Sequence, residues 1–168
     1  GGHEVAHDGA TLGEITVRGN VVMKGYYNDA EATAAAIKNG WFHSGDAAVV
    51  HPNGYVEIRD RFKDVIISGG ENVSSIEVEG CLLTHTAVQE VAVVGMPHEK
   101  WGESPHAFVV MQAGLEVSED ELKSHVRENL AHFKTPQWVS FVEELPKTAT
   151  GKVQKFMLRD GQSGISRQ

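Results

Sequence analysis

Cysteine and long apolar runs are scarce in this sequence. Its one cysteine, Cys81, cannot form an internal disulfide, and such scarcity is typical of a reducing compartment. We therefore expect a cytoplasmic location. The longest apolar runs, such as residues 91–96, have the length of a strand and fall far short of a membrane span. The sequence thus excludes a disulfide scaffold and predicts no membrane-spanning segment.

Basic residues are also fewer than acidic residues. Lysine and arginine number 15 against 23 acidic residues, which gives a net charge of -8. This balance argues against broad binding to nucleic acid or to anionic membrane surfaces, although a local basic site stays possible. With 40% hydrophobic residues, the chain has the composition of an ordinary globular protein.

The region before residue 60 is dense in turn-forming residues and has few large apolar residues to close a core of its own. Asp29 or its neighbour Asn28 can cap a helix here, and Gly40 can end it. The patterns predict a strand over residues 13–19, a helix over 28–40 and a hairpin over 47–60.

The region after residue 60 follows the order β-α-β-β-α-β, which predicts an α+β fold with a short mixed sheet flanked by helices. Ser74 and Ser118 each begin a capping box, and an apolar stripe follows the second box. The tail from residue 161 to 168 is expected to fray. The predicted elements are a strand from 64 into a glycine turn, helices over 74–85 and 118–133, strands over 88–97, 105–112 and 138–146, and the stripe Leu122, Val126, Leu130 and Phe133.

The segment from His3 to His7 reads HEVAH, which matches a zinc-protease pattern. That chemistry needs both histidines on one face of a helix and a third ligand. A turn-forming segment follows directly, and no later cluster offers the third ligand. We therefore expect no resident metal ion on these residues.

Lys152 lies in the segment PKTATGKVQK, between Lys147 and Lys155. The segment resembles the end of a phosphate-binding P-loop, but Pro146 replaces the first glycine and Val153 replaces the hydroxyl residue. The P-loop interpretation therefore fails. Lys152 is either an ordinary surface lysine or a cation that a flexible loop delivers to a phosphate.

Three other short segments allow two interpretations each. Asp46 in GWFHSGDA can form a turn or can hold two vicinal hydroxyls. The segment SGGEN over 68–72 is a glycine turn or an anion cradle. The charged segment RDRFKD over 59–64 is a solvated face or a hinge.

Taken in order, these motifs resemble the C-terminal portion of the acyl-adenylate-forming enzymes. That superfamily includes acyl-CoA synthetases, peptide-synthetase adenylation domains and beetle luciferase. The resemblance covers about residues 9–160, and it is strongest to short- and medium-chain acyl-CoA ligases. Five motifs in order are far more specific than any one of them.

The resemblance implies a two-step reaction, in which a carboxylic acid and ATP form acyl-AMP and coenzyme A then displaces AMP. ATP with magnesium would be bound mainly by a larger N-terminal domain. The resemblance also implies that a protein lysine acyltransferase can act on Lys152. The implied roles are adenylation for Lys152, nucleotide binding for Asp46 and Arg61, the hinge for Lys63, and the pantetheine channel for Gly69 and Gly70.

The same resemblance divides the chain into three parts. Residues 1–59 would be a remnant of the N-terminal domain's β-barrel, 60–63 the hinge, and 64–168 the mobile C-terminal domain. We therefore expect a fragment that is inactive alone and whose partner is its own N-terminal domain. Two alternatives are an adenylation domain that loads a carrier protein and a non-catalytic interaction module of the same fold.

Overall fold

The computed structural model describes residues 2–161, and it divides into two compact units between Lys63 and Asp64. Each unit is described by itself. Apart from Gly161, which lies in a turn, the tail that is predicted to fray lies outside the described residues.

The first unit is built around one long strand. β3 pairs antiparallel with three other strands, β1, β2 and β4. The predicted hairpin at Pro52–Gly54 is confirmed, because the N–H of His51 donates to the carbonyl of Tyr55 at 2.8 Å. The elements are β1 (Gly13–Val17), α1 (Ala30–Ala36), β2 (Ile37–Lys38), β3 (Trp41–Val50) and β4 (Val56–Arg61).

Helix α1 is shorter than its prediction. Asp29 caps it as expected, accepting from the N–H of Ala32 at 2.8 Å. The predicted end at Gly40 is wrong, because the helix stops at Ala36. Asn39 and Gly40 have positive φ angles of 52° and 78°, as the two residues of a type I′ turn require, and they join β2 to β3.

The first unit buries little apolar surface. Its buried apolar side chains among the described residues are Ala47, Ala48 and Val49. Tyr55, Val56 and Ile58 on or beside β4 are instead 73%, 56% and 59% exposed. The expectation that this region lacks the residues to close its own core is confirmed.

The second unit is a mixed sheet with helices on both faces, so the predicted α+β class is confirmed. The long β7–β8 hairpin is its centre, and β9 lies parallel to β8 while the other pairs are antiparallel. A 3₁₀ turn follows α3 at His132–Lys134. The elements are β5 (Ile66–Ser68), β6 (Glu71–Val73), α2 (Ser75–Leu83), β7 (Val88–His98), β8 (Gly102–Met111), α3 (Glu119–Asn129), β9 (Trp138–Phe141) and α4 (Lys155–Arg159).

Both predicted serine caps are confirmed. Ser74 accepts from the N–H of Glu77 at 3.3 Å, and Ser118 accepts from the N–H of Glu121 at 3.2 Å. The stripe prediction is right only in part. Leu122 and Val126 are fully buried, but α3 ends at Asn129 and Phe133 is 42% exposed.

Two short elements, β6 and α4, are absent from the prediction. β6 has three residues and α4 has five, so neither is long enough to show a periodic pattern. The core on the face of α4 still depends on that helix, since Leu158 is 2% exposed and packs with Val94 and Phe108 of the sheet. In residues 2–161 no helix is long and apolar enough to cross a membrane.

Candidate functional site

Lys152 sits on a tight loop that its own backbone closes. The N–H of Thr148 donates to the carbonyl of Lys152 at 2.8 Å, and the N–H of Lys152 donates to Oγ1 of Thr148 at 3.1 Å. Gly151 makes the turn with a φ of +83°, a conformation that favours glycine. Within the described residues the exposed Lys152 side chain has no ion-pair partner, so its ammonium is available to an anion.

The two lysines beside this loop have partners. Lys147 Nζ lies 2.6 Å from Oε2 of Glu90 on β7. Lys155 Nζ lies 2.7 Å from Oε1 of Glu79 on α2. The loop is therefore anchored to the sheet on one side and to α2 on the other, with Lys152 between the anchors.

Asp46 and Arg61 lie together in the first unit. They are paired residues of β3 and β4, and Arg61 Nε lies 2.9 Å from Oδ1 of Asp46. Arg61 also donates through Nη1 to the carbonyl of Ser44 at 3.0 Å. The half-buried carboxylate and the exposed guanidinium thus form an ion pair on neighbouring strands of the sheet.

Glu14 holds the strand around Asp46 in this position. Its carboxylate accepts from the N–H of Gly45 at 3.0 Å and contacts Nδ1 of His43 at 2.5 Å. Partial burial acts to raise the pKa of Glu14, but the hydrogen bonds from His43 and Gly45 outweigh it and hold that pKa below its usual value. Gly45 has a φ of +73°, which places Asp46 just after a break in the regular strand.

Gly69 and Gly70 form the turn between β5 and β6, with φ angles of +61° and +88°. The N–H of Gly69 donates to the carbonyl of Trp101 at 2.9 Å. A Cβ at Gly69 would come within 2.9 Å of Cε3 of Trp101, whereas a Cβ at Gly70 would meet nothing within 4 Å. The glycines are therefore required by the turn itself, and at Gly69 also by the indole ring that packs against it.

Lys63 is exposed and is the last residue of the first unit. Asp64, which begins the second unit, is 8% exposed and is ion-paired with Arg159 of α4.

His3 and His7 lie outside any helix or strand, and within residues 2–161 no group of three or more His, Cys, Asp or Glu side chains could hold a metal ion.

The predicted site residues are thus divided between the two units. Asp46 and Arg61 are in contact, while Lys152 and the Gly69–Gly70 turn belong to the second unit. Sequence reasoning missed the glutamates that pair with Lys147 and Lys155. Both lie far from these lysines in the chain, so no local spacing could have revealed them.

Residues 77–152 match the family model of the AMP-binding enzyme C-terminal domain. Residues 77–152 therefore belong to the AMP-binding enzyme C-terminal domain family. Plant CoA ligases are among the curated relatives of the chain. It is 53% identical over 156 residues to a peroxisomal trans-cinnamate:CoA ligase of Petunia hybrida, a match that covers 93% of this chain and 27% of the relative. It is 54% identical over 159 residues to a peroxisomal butyrate–CoA ligase of Arabidopsis thaliana, covering 93% and 28%.

A solved structure agrees with this family assignment. The o-succinylbenzoate CoA synthetase of Bacillus subtilis, in complex with its acyl-adenylate intermediate, matches with a TM-score of 0.83 and 38% identity. The match covers 96% of this chain and 32% of that one. The chain therefore spans about 30% of the length of the CoA ligases it matches.

The expected cytoplasmic location is corrected by these comparisons. Both plant relatives described above are named peroxisomal, as is an acyl-activating enzyme of Arabidopsis thaliana. The expectation rested on scarce cysteine, which indicates a reducing environment and does not distinguish one such compartment from another.

Proposed function

We propose that this chain is the C-terminal part of an ATP-dependent carboxylic acid:CoA ligase. A carboxylate oxygen attacks the α-phosphorus of ATP, the bond to pyrophosphate breaks, and acyl-AMP forms. The thiol of coenzyme A then attacks the acyl carbon, AMP leaves with the bonding electrons, and the thiol proton is released. The observation that carries the proposal is the ammonium of Lys152, which has no ion-pair partner within residues 2–161 and lies on an anchored loop, in a chain related to CoA ligases.

Lys152 is the residue we assign to the first step. Negative charge builds on the phosphoryl oxygens as the acid attacks, and a cation already fixed nearby stabilises that charge. An ammonium that is bound to no carboxylate of the described residues has no ion pair to break there before it binds an anion. Acylation of Lys152 by a protein lysine acyltransferase would remove the charge and stop this step.

Asp46 and Arg61 are assigned to the nucleotide. A carboxylate can accept hydrogen bonds from two vicinal ribose hydroxyls, as acidic residues do in other nucleotide sites. The guanidinium at 2.9 Å fixes that carboxylate and offers further N–H donors to ribose or phosphate oxygens.

Gly69 and Gly70 are assigned to the pantetheine channel, where their lack of side chains leaves room for a thiol arm.

Lys63 is assigned as the hinge between two parts of the enzyme. Support comes from the division of the chain between Lys63 and Asp64.

Residues 1–59 are proposed as the last piece of the larger N-terminal domain. The exposed apolar residues of β4 support this assignment, because a surface of this kind is usually covered in the complete protein.

The chain alone is proposed to be inactive, since the acyl pocket and most nucleotide contacts would lie outside it. Magnesium is assigned to the remainder of the enzyme with ATP, because the described residues offer no cluster of ligands for it. The acid is proposed to be a small carboxylic acid, of the size of the butyrate and trans-cinnamate that name two of the relatives.

The test uses the full-length protein and a panel of small carboxylic acids, read by pyrophosphate release. Lys152→Ala should lower acyl-AMP formation by about 100-fold or more, while supplied acyl-AMP is still converted to acyl-CoA at close to the normal rate. Equal loss in both half-reactions would contradict the role of Lys152. Acyl-CoA formation by the 168-residue chain alone would contradict its inactivity.

A further inference from the structure

We propose that the ion pair between Lys155 and Glu79 positions Lys152 for the first half-reaction. The pair holds the base of the Lys152 loop on α2, and it acts through the loop without touching substrate. This inference rests on the role proposed above for Lys152, and the experiment below tests the two separately.

The pair is well fixed. Lys155 Nζ lies 2.7 Å from Oε1 of Glu79 and 2.5 Å from Oγ of Ser75, which is fully buried. The two charged side chains are 15% and 17% exposed, so water and salt screen them far less than a surface pair. Oε1 of Glu79 also accepts from the N–H of Val93 at 2.8 Å, which ties the carboxylate to β7.

Lys155 occupies an unusual place for a lysine. It is the first residue of α4, where the partial positive charge of the helix N-terminus disfavours a cation. The helix therefore gives no reason for a lysine here, whereas the carboxylate of Glu79 does. Its position three residues after Lys152 means that fixing Lys155 fixes the end of the loop.

The rest of the loop base supports the same geometry. The N–H of Gln154 donates to the carbonyl of Pro146 at 2.8 Å and closes the base. Lys147 is paired with Glu90 on the other side, but these side chains are 38% and 36% exposed, so that pair is the weaker anchor. With both anchors formed, Lys152 is held between two fixed points.

The two ion pairs, Lys147–Glu90 and Lys155–Glu79, also determine which lysine of this segment can bind a phosphate. Glu79 and Glu90 pair with the neighbouring lysines. Of the three lysines in this segment, Lys152 is therefore the one with no ion-pair partner in the part of the chain that the structure describes. Loss of the charge on Glu79 would leave Lys155 without its carboxylate. A second free cation would then compete for the same anion.

The test substitutes Lys155→Met in the full-length protein. This substitution removes the ammonium and keeps an unbranched side chain of similar length. We expect acyl-AMP formation, read by pyrophosphate release, to fall by roughly 10- to 100-fold, because small displacements of a catalytic group have effects of this size. Conversion of supplied acyl-AMP to acyl-CoA should stay within about twofold of the parent, since Lys152 serves only the first step. Lys155→Arg should recover most of the loss.

Lys134→Met is the matched control. Lys134 Nζ lies 2.7 Å from Oε1 of Glu77, a second glutamate of α2, and these side chains are 20% and 31% exposed. The control removes a similar ion pair from the same helix without touching the Lys152 loop. We expect it to leave the ratio of the two half-reaction rates unchanged.

The outcomes separate the two proposals. If both half-reactions fall together in Lys155→Met, or if Lys134→Met gives the same selective loss, the positioning role is wrong. If Lys152→Ala itself leaves acyl-AMP formation intact, the function proposed for Lys152 fails instead. Should Lys155→Met not fold, Glu79→Gln keeps an acceptor for Val93 and should show the same selective loss. Failure of both variants to fold would make the pair purely structural and overturn the proposal.

Discussion

Lys147, Lys152 and Lys155 differ in what surrounds their ammonium groups. Two of them contact glutamates at 2.6 and 2.7 Å, while Lys152 has no such partner among the described residues. The sequence shows three similar residues close together, and only the fold distinguishes them. The difference in partners, rather than the lysine itself, makes Lys152 suitable for binding an anion.

His106 gives a prediction at the scale of one residue. It stacks on Phe108, with ring centroids 4.2 Å apart, and burial lowers its pKa from 6.5 to about 4, while the charges of Glu119 and Lys123 have smaller and opposite effects. The unfolded state therefore takes up a proton as the pH falls through 6.5, whereas the folded state stays neutral until about pH 4. The free energy of unfolding should fall by about 1–3 kcal/mol over this window, allowing for partial exposure of the ring.

Denaturant unfolding of the chain at a series of pH values measures this dependence. Because a glutamine does not titrate, His106→Gln should remove this contribution and flatten the curve between pH 6.5 and 4 relative to the parent chain. An unchanged slope in the variant would show that His106 is not the group responsible.

Sequence patterns succeed for single residues where the chemistry is local. Asp29, Ser74 and Ser118 cap helices as predicted, because a cap needs only an N–H three residues away. Asp46 was harder to place, since the break at Gly45 lies within a ten-residue strand and depends on Glu14 from another strand. Local spacing cannot report a contact between residues so far apart.

At the scale of elements, length decides what can be predicted. Helix α3 is long enough to show its period, and strands β7 and β8 each contain an apolar run of strand length, so the sequence predicts all three. β6 and α4 are too short for this: β6 forms by pairing with β5, and α4 packs Leu158 against the sheet. The glycine turn before β6 was recognised, but nothing local shows that a strand follows it.

Ser118→Ala tests the cap of α3. The substitution removes the acceptor for the N–H of Glu121 and should lower the free energy of unfolding by about 1 kcal/mol. Ser124→Ala, in the middle of the same helix, is the matched control and should be neutral or slightly stabilising, because alanine favours helix more than serine. Thermal unfolding of the three proteins checks this, and equal losses from both serines would contradict the capping role.

At the scale of the whole molecule, the two units differ in how completely they bury their apolar residues. The second unit has a core on both faces of its sheet. The first unit leaves Val56 and Ile58 more than half exposed. The proposed function gives one reason, since residues 1–59 are there assigned to a larger domain; the chain spans about 30% of the length of its relatives.

The double substitution Val56→Thr with Ile58→Thr tests whether the rest of the enzyme covers this surface. In the 168-residue chain both positions are exposed, so unfolding should change by less than about 0.5 kcal/mol. In the full-length protein, where we propose that they are buried, the same change should cost about 2 kcal/mol or more. Equal effects in the two proteins would count against residues 1–59 being part of a larger domain.

Asp64 and Arg159 lie near opposite ends of the second unit's described sequence, yet their side chains are ion-paired. The ion pair closes the backbone between residues 64 and 159 into a loop through one side-chain contact. In the hinge role proposed for Lys63, this contact links the residue that follows the hinge to α4. The loop that carries Lys152 directly precedes α4, so a rotation of the unit about such a hinge would carry that loop with it.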